Sequence, residues 1–291
     1  MYEVNPYPRF KYSEYTASHL AKPICYSIKL ETTRINQSFS EELTASSARP
    51  KVLLAGCGTG NQVIIASRYK NAQITAIDLS SSSLAYAIRK VNEYHMNGVT
   101  FKQMDLLSTP KIGVIFDIIE CSGVLHHMDK PAEGLSTLLQ QLKPGGYIKL
   151  GLYSEIARKV IVEARKTIKK LGISSCPESI RGFRKKVLDG KVHDLLSLPE
   201  YVRDFYSLSE CRDLCFHVQE HRYTIDTLKY LLDSHSLTFC GFILQGQIMK
   251  MYQEEYPEDK DMTLFENWAK FEEKHPSTFT GMYQFWAQKS T

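Results

Sequence analysis

Five short apolar runs, each followed by a helical stretch or turn, dominate residues 51–154 of this chain. They read KVLLAG (51–56), QITAID (73–78), VTFKQMD (99–105), VIFDIIEC (114–121) and YIKLGLYS (147–154). Most of these runs are apolar throughout rather than in alternation, so both faces of the strand are buried. That pattern belongs to a parallel sheet covered by helices on both sides. The intervening segments have the helical period. Residues 61–70 look helical. Ser80 suits an N-cap ahead of Leu84, Ile88 and Val91. Pro131 suits a first helical turn, and Leu135, Leu138, Leu139 and Leu142 then form one apolar stripe. KPGG (143–146) is expected to stop that helix in a tight turn. After a helix capped by Thr224 (224–234), LTFCGFIL (237–244) and the aromatic TGMYQFWAQ (280–288) read as two more strands, with acidic helix between them at 246–275. The expected class is α/β, a doubly wound, mostly parallel sheet of seven strands.

The rest of the chain divides around this core. Residues 1–49 read as an irregular arm with one or two short helices, and 50–154 as the ligand-binding core. Residues 155–222 read as a helical cap inserted beside the sheet, and 223–291 as completion of the sheet. Net charge is only +4, which does not imply nucleic acid. It is unevenly spread: 155–191 holds eleven Lys or Arg against four acids, and 254–273 holds eight acids against two Lys. In the basic run Ile156, Val160 and Ile161 oppose Arg158, Arg165, Lys166 and Lys169, the pattern of an amphipathic helix with a solvated basic face. RNA binding would call for interleaved aromatics, and Phe183 stands alone there. The start, MYEVNPYPRF, is unlike a signal peptide, and no run approaches membrane-span length. Seven scattered cysteines then read as reduced thiols, so the chain is expected to be cytoplasmic and free of membranes.

The turn after the first strand is AGCGTGN (55–61), with Gly56, Gly58 and Gly60 in a G-x-G-x-G spacing. Glycine there lets the backbone turn tightly and approach a ligand. The same turn without a ligand is common in many folds. Asp78 ends the second strand, where an acid in nucleotide-binding sheets accepts hydrogen bonds from a ribose diol. Asp105 ends the third, followed by Leu106 and Leu107, where it could meet an adenine amino group. Each acid singly could be a helix cap. Together, at successive carboxyl ends, the three features point to an adenosine ligand. A dinucleotide calls for G-x-G-x-x-G, but position 61 is Asn and the glycine comes one residue early. S-adenosylmethionine carries no phosphate and suits this turn better.

VLLAGCGTGN, ITAIDLS, FKQMDLL, FDIIECSGVLHHMDKP and LKPGGYIKLGLYS, in this order, resemble the class I S-adenosylmethionine-dependent methyltransferases. NPYPRF, GLYSEIAR, SECRDLCFHVQEHRYT and TFTGMYQFW further resemble a bacterial group of these enzymes often fused to tetratricopeptide repeats, which these 291 residues lack. The resemblance implies a Rossmann-like sheet with an antiparallel last strand. It also implies S-adenosylmethionine as cofactor. Gly56, Cys57, Gly58 and Gly60 would approach the methionine end, and Asp78 would hold the ribose. Asp105 would hold the adenine between Leu79 and Leu106, and Cys121 with its successors would pass near the sulfonium.

The acceptor side is less defined by motif, because methyl transfer needs positioning and uses a base only when a proton must leave. His126 and His127 are candidate bases, or else loop-orienting residues. Tyr7 and Arg9 could close over the ligand. His217, Glu220 and His221, with Tyr153, Tyr206 and Arg212, could line the acceptor pocket; on a helix, positions 217 and 221 would share a face. Cys211 and Cys215 complete a C-x3-C-x-H-x3-H string whose spacing does not suit zinc, so no metal is expected. The expected function is methyl transfer to an unidentified acceptor, with a small molecule ahead of a protein side chain. A cofactor-binding scaffold without turnover and a nicotinamide oxidoreductase stay open as alternatives.

Overall fold

The computed structural model describes residues 3, 6–32, 39–201, 203–217 and 219–291. Seven strands form one sheet: β1 (Lys51–Ala55), β2 (Gln73–Asp78), β3 (Val99–Gln103), β4 (Phe116–Ser122), β5 (Leu142–Leu152), β6 (Leu237–Phe242) and β7 (Tyr283–Lys289). Their order is β3-β2-β1-β4-β5-β7-β6. The first five run parallel, and β7 pairs antiparallel with both β5 and β6. The order reverses between β1 and β4, which opens a crevice at their carboxyl ends.

Side-chain alternation explains why both faces are apolar. Leu53 and Ala55 of β1 enter one buried cluster, whereas Val52 and Leu54 enter the other. The first face is covered by helices Pro131–Gln140, Ile225–Ser234 and Phe265–Lys274. The second is covered by Ile24–Glu31, Asn61–Ile65 and Ser81–Glu93. Strand β7 divides its aromatics likewise, Tyr283 and Phe285 to one side and Trp286 to the other. Ser80 caps its helix by accepting from Ser83 N, and Thr224 forms a capping box with Thr227. Of the N-terminal segment, Ile24–Glu31 and Glu41–Thr44 are helical, while residues 33–38 lie outside the described residues.

Two local expectations are corrected. The helix at 131 ends at Gln140, and Leu142 already pairs with Phe116, so KPGG lies inside β5. Pairing resumes at Ile118 with Tyr147, leaving 143–146 as a bulge. Pro144 has no N–H for the ladder, and Gly145 takes φ of 72°. Residues 217 and 219–221 are not helical, because the helix Leu208–Phe216 stops before them. Instead the chain runs beside the end of β5, where Tyr223 N donates to Tyr153 O (2.9 Å) and Glu155 N to Tyr223 O (2.8 Å).

Helices Lys159–Lys170, Pro177–Leu188 and Leu208–Phe216 build the cap around their own apolar cluster, with Ile161, Ile180, Phe183, Phe205 and Leu214 buried. The basic face of the first of these is not wholly solvated. Arg158 at its N-cap is 3% exposed, and Arg165 turns toward Glu220. Among the described residues no helix is long and apolar enough to cross a membrane.

Candidate active site

A cavity of about 820 Å³ lies at the carboxyl ends of β1, β2 and β4, within the size range of small-ligand sites. Gly56, Cys57 and Gly58 form one wall. The turn is anchored by Gly56 N and Cys57 N, both donating to Ile77 O at 2.9 Å. Gly58 N donates to Asp78 Oδ2 at 2.8 Å, and Ser80 N donates to Oδ1 at 2.9 Å. Burial pushes the Asp78 carboxyl above its ordinary pKa, and the two backbone N–H groups pull it back. Each oxygen keeps a further lone pair for a donor in the cavity.

Asp105 caps the 3₁₀ turn Leu106–Ile112 by accepting from Leu107 N at 2.8 Å, and it lines the cavity between Met104 and Leu106. Leu79 lines the same region and is exposed. The N-terminal arm crosses above. Tyr7 and Pro8 line the cavity, and Thr59 Oγ1 donates to Pro8 O. Tyr86 OH donates to Phe10 O (2.6 Å) and Ser13 Oγ to Asn61 Oδ1 (2.6 Å), which ties the arm to the helices behind the turn.

Opposite the glycine turn stand His127, Tyr153, Arg158, Asp213 and Leu214. His127 Nδ1 lies 2.9 Å from Gln219 O. A carbonyl only accepts, so Nδ1 carries the proton and Nε2 of the neutral ring is an acceptor. Burial, and then the neighbouring His217 imidazole, hold the His127 pKa down at about 4. His217 stacks on His127 with centroids 3.7 Å apart. The Arg158 guanidinium lies 3.8 Å over the Tyr153 ring and donates to Glu220 from Nε (3.3 Å) and Nη2 (2.5 Å). Arg165 Nη1 reaches the same carboxylate at 3.0 Å and Arg222 Nη1 at 3.6 Å.

Several sequence-predicted residues lie behind the cavity rather than on it. His126 is fully buried and stacks on Tyr153 at 3.8 Å. His221 N donates to His126 O at 2.7 Å, so this segment braces the histidine loop through its backbone. His217 stacks behind the lining residue His127. Glu220 is 1% exposed in its side chain and is consumed by three arginines. Gly60 packs on the helix Ser81–Glu93, where a Cβ would meet Ala87 Cβ at 2.7 Å. Cys121 is buried beneath Ser122, Gly123 and Val124, which line the cavity in its place. Arg9 and Tyr206 are exposed, and Arg212 lies on the cap helix away from the lining. Cys211 and Cys215 fill the apolar cluster of the cap. Among the described residues no group of three or more His, Cys, Asp or Glu is placed to hold a metal ion.

Sequence reading passed over Arg158, Asp213 and the loop Thr280–Gly281–Met282, all of which line the cavity. Arg158 looked like one cation among many, and only its burial sets it apart.

The strand order, the reversed β7 and the glycine turn facing two acids define a class I S-adenosylmethionine-dependent methyltransferase fold. Residues 52–146 match the family described as a methyltransferase domain. The chain is 34% identical over 206 residues to an uncharacterized protein of Synechococcus sp., covering 67% of this chain and 48% of that protein. It is 22% identical over 179 residues to the mitochondrial ubiquinone biosynthesis O-methyltransferase of Schizosaccharomyces pombe, covering 60% and 62%. It is 27% identical over 211 residues to the malonyl-[acyl-carrier protein] O-methyltransferase of Halalkalibacterium halodurans, covering 67% and 74%. The chain thus spans about half to two thirds of the first two relatives. PKMT2 from Rickettsia typhi shares the fold, with a TM-score of 0.63 at 18% identity over 95% of this chain and 53% of that one. The same protein has been solved in complex with AdoHcy (S-adenosylhomocysteine), at TM-score 0.63 and 16% identity over 96% of this chain and 54% of that one.

Proposed function

We propose that the chain transfers the methyl group of S-adenosylmethionine to a small-molecule acceptor enclosed between the glycine turn and the cap. The observation that carries this reading is the pairing of Gly58 N with Asp78 inside a cavity that Asp105 also lines. A side chain at Gly58 would press on Tyr7 O at 3.0 Å, so the turn is bare backbone where a ligand can lie against it. Asp78 would take the ribose hydroxyls, and Asp105, between Leu79, Met104 and Leu106, the adenine. Gly56 to Gly58, with Ser122 to Val124 opposite, would take the methionine end. When bound, the cofactor supplies a methyl already activated by positive sulfur. The protein's share is to dehydrate and aim the acceptor. His127 Nε2 would accept a hydrogen bond from it, and Tyr153 and Leu214 would pack on its body. The O-methyltransferases among the relatives support an oxygen as the accepting atom.

Calorimetry with AdoHcy tests the site. Asp78→Asn is expected to lose charge-assisted hydrogen bonds of about 1.5–3 kcal/mol, or roughly 10- to 100-fold in affinity. Unaltered affinity in a folded variant removes Asp78 from the ribose site. A metabolite extract scored for AdoHcy release then separates an enzyme from a silent binding module.

A further inference from the structure

We propose that Arg158 grips a carboxylate of the methyl acceptor, so that the acceptor is a small organic acid; this rests on the methyltransferase reading above. Arg158 is held as a rigid donor rather than a mobile surface cation. Tyr153 backs one face of its guanidinium, and Glu220 takes Nε and Nη2. No hydrogen bond among the described residues engages Nη1, and the residue lines the cavity. A planar guanidinium with one edge committed still offers its other edge, which matches a carboxylate in two parallel hydrogen bonds.

Arg158, Arg165 and Arg222 converge on Glu220, and Asp129 and Asp213 add carboxylates to the cavity wall. Val124, Met128, Leu214 and Met282 make much of the remaining wall apolar, which suits an acid with a hydrocarbon body. A carboxylate is ionised on its own at neutral pH. A site lined by His127, an imidazole that burial keeps a weak base, therefore suits it.

The test measures binding to the AdoHcy-loaded protein by calorimetry, with benzoate and hexanoate against benzamide and hexanamide. At least one acid is expected to bind about tenfold or more tighter than its amide, and Arg158→Met is expected to abolish that preference. Arg165 and Arg222 still neutralise Glu220 in this variant, so its fold should hold. Equal binding of acid and amide, or a preference that survives Arg158→Met, overturns the proposal. So does a loss of AdoHcy affinity in Arg158→Met, which would assign the arginine to the cofactor's own carboxylate. Failure of the wild type to bind AdoHcy sinks the methyltransferase reading and this one together, whereas AdoHcy binding without acid preference sinks this one alone. Should the variant not fold, phenylglyoxal labelling of wild-type Arg158 decides. Benzoate and not benzamide is expected to slow it, and equal protection counts against the proposal.

Discussion

Gly58 and Gly60 sit two residues apart and are glycines for different reasons. Both have positive φ, 52° and 91°. A Cβ on Gly60 would strike Ala87 Cβ at 2.7 Å and Cα at 2.9 Å, which no rotamer relieves. Gly60→Ala is therefore expected to cost about 1–3 kcal/mol of stability, read as a lowered thermal midpoint. Gly58→Val should instead push the arm away at Tyr7 and weaken AdoHcy binding with the fold retained. Normal binding by that variant would show that the turn does not face the ligand. His127 gives the molecule a pH dependence. Its folded pKa of about 4 lies below the ordinary 6.5, so between those values the unfolded chain binds more protons. Stability must then fall as pH drops through that window, by about 3 kcal/mol for this residue alone. His126, also held well below 6.5 by burial, adds to the slope. Thermal midpoints at pH 7 and pH 5 should differ, and less so in His127→Gln; an unchanged difference would show that His127 is not the source.

The buried carboxylate of Glu220 ties the first cap helix to the segment that leaves the cap. Glu220 follows the cap helix Leu208–Phe216, and its arginines come from the start and middle of helix Lys159–Lys170 and from Arg222. Burial raises the Glu220 pKa and the three guanidinium groups more than reverse it, leaving the carboxyl below its ordinary range. Glu220→Ala would strand those cations. The expected cost is about 3–5 kcal/mol by denaturant titration. Lys166→Ala, whose pair with Glu163 is solvent-exposed, should leave the midpoint where it was. The sequence showed a helical period on Ile156, Val160 and Ile161; of these Ile161 joins Ala164 and Ile168 in the buried stripe, and Ile156 precedes the helix. That two of its cations turn inward was not legible, because period does not say what stands opposite a polar face.

On the scale of the whole molecule, three apolar clusters among the described residues divide the work. Two lie on the faces of the sheet, and the third belongs to the cap. Phe183, 1% exposed, packs edge-on to Phe205 and Phe216 within the third. Phe183→Ala is expected to destabilise by about 3–5 kcal/mol, and to do so locally. Amide exchange should quicken across 161–214 while β1, β4 and β5 keep their protection. Uniform quickening over the sheet would mean that cap and core unfold as one unit.

The strand-rich core was written in the sequence because its determinants are local. A fully apolar run, a Gly-rich turn, a capping serine and a strand-terminal acid each act within a few residues of themselves, so β2 could be placed to the residue and Asp78 picked out at its end. The acceptor wall is of another kind. Arg158 stands at the N-cap of the first cap helix, His127 lies in the turn after β4 and Asp213 on the helix Leu208–Phe216, with more than fifty residues between Arg158 and Asp213. Their placement depends on an ion cluster around Glu220 and on an extended segment that the H-x3-H spacing suggested was helical. A charge in a sequence carries no mark of its burial. Only the tertiary fold, by choosing which cations lose their water, made Arg158 part of the site and left Lys166 in solvent.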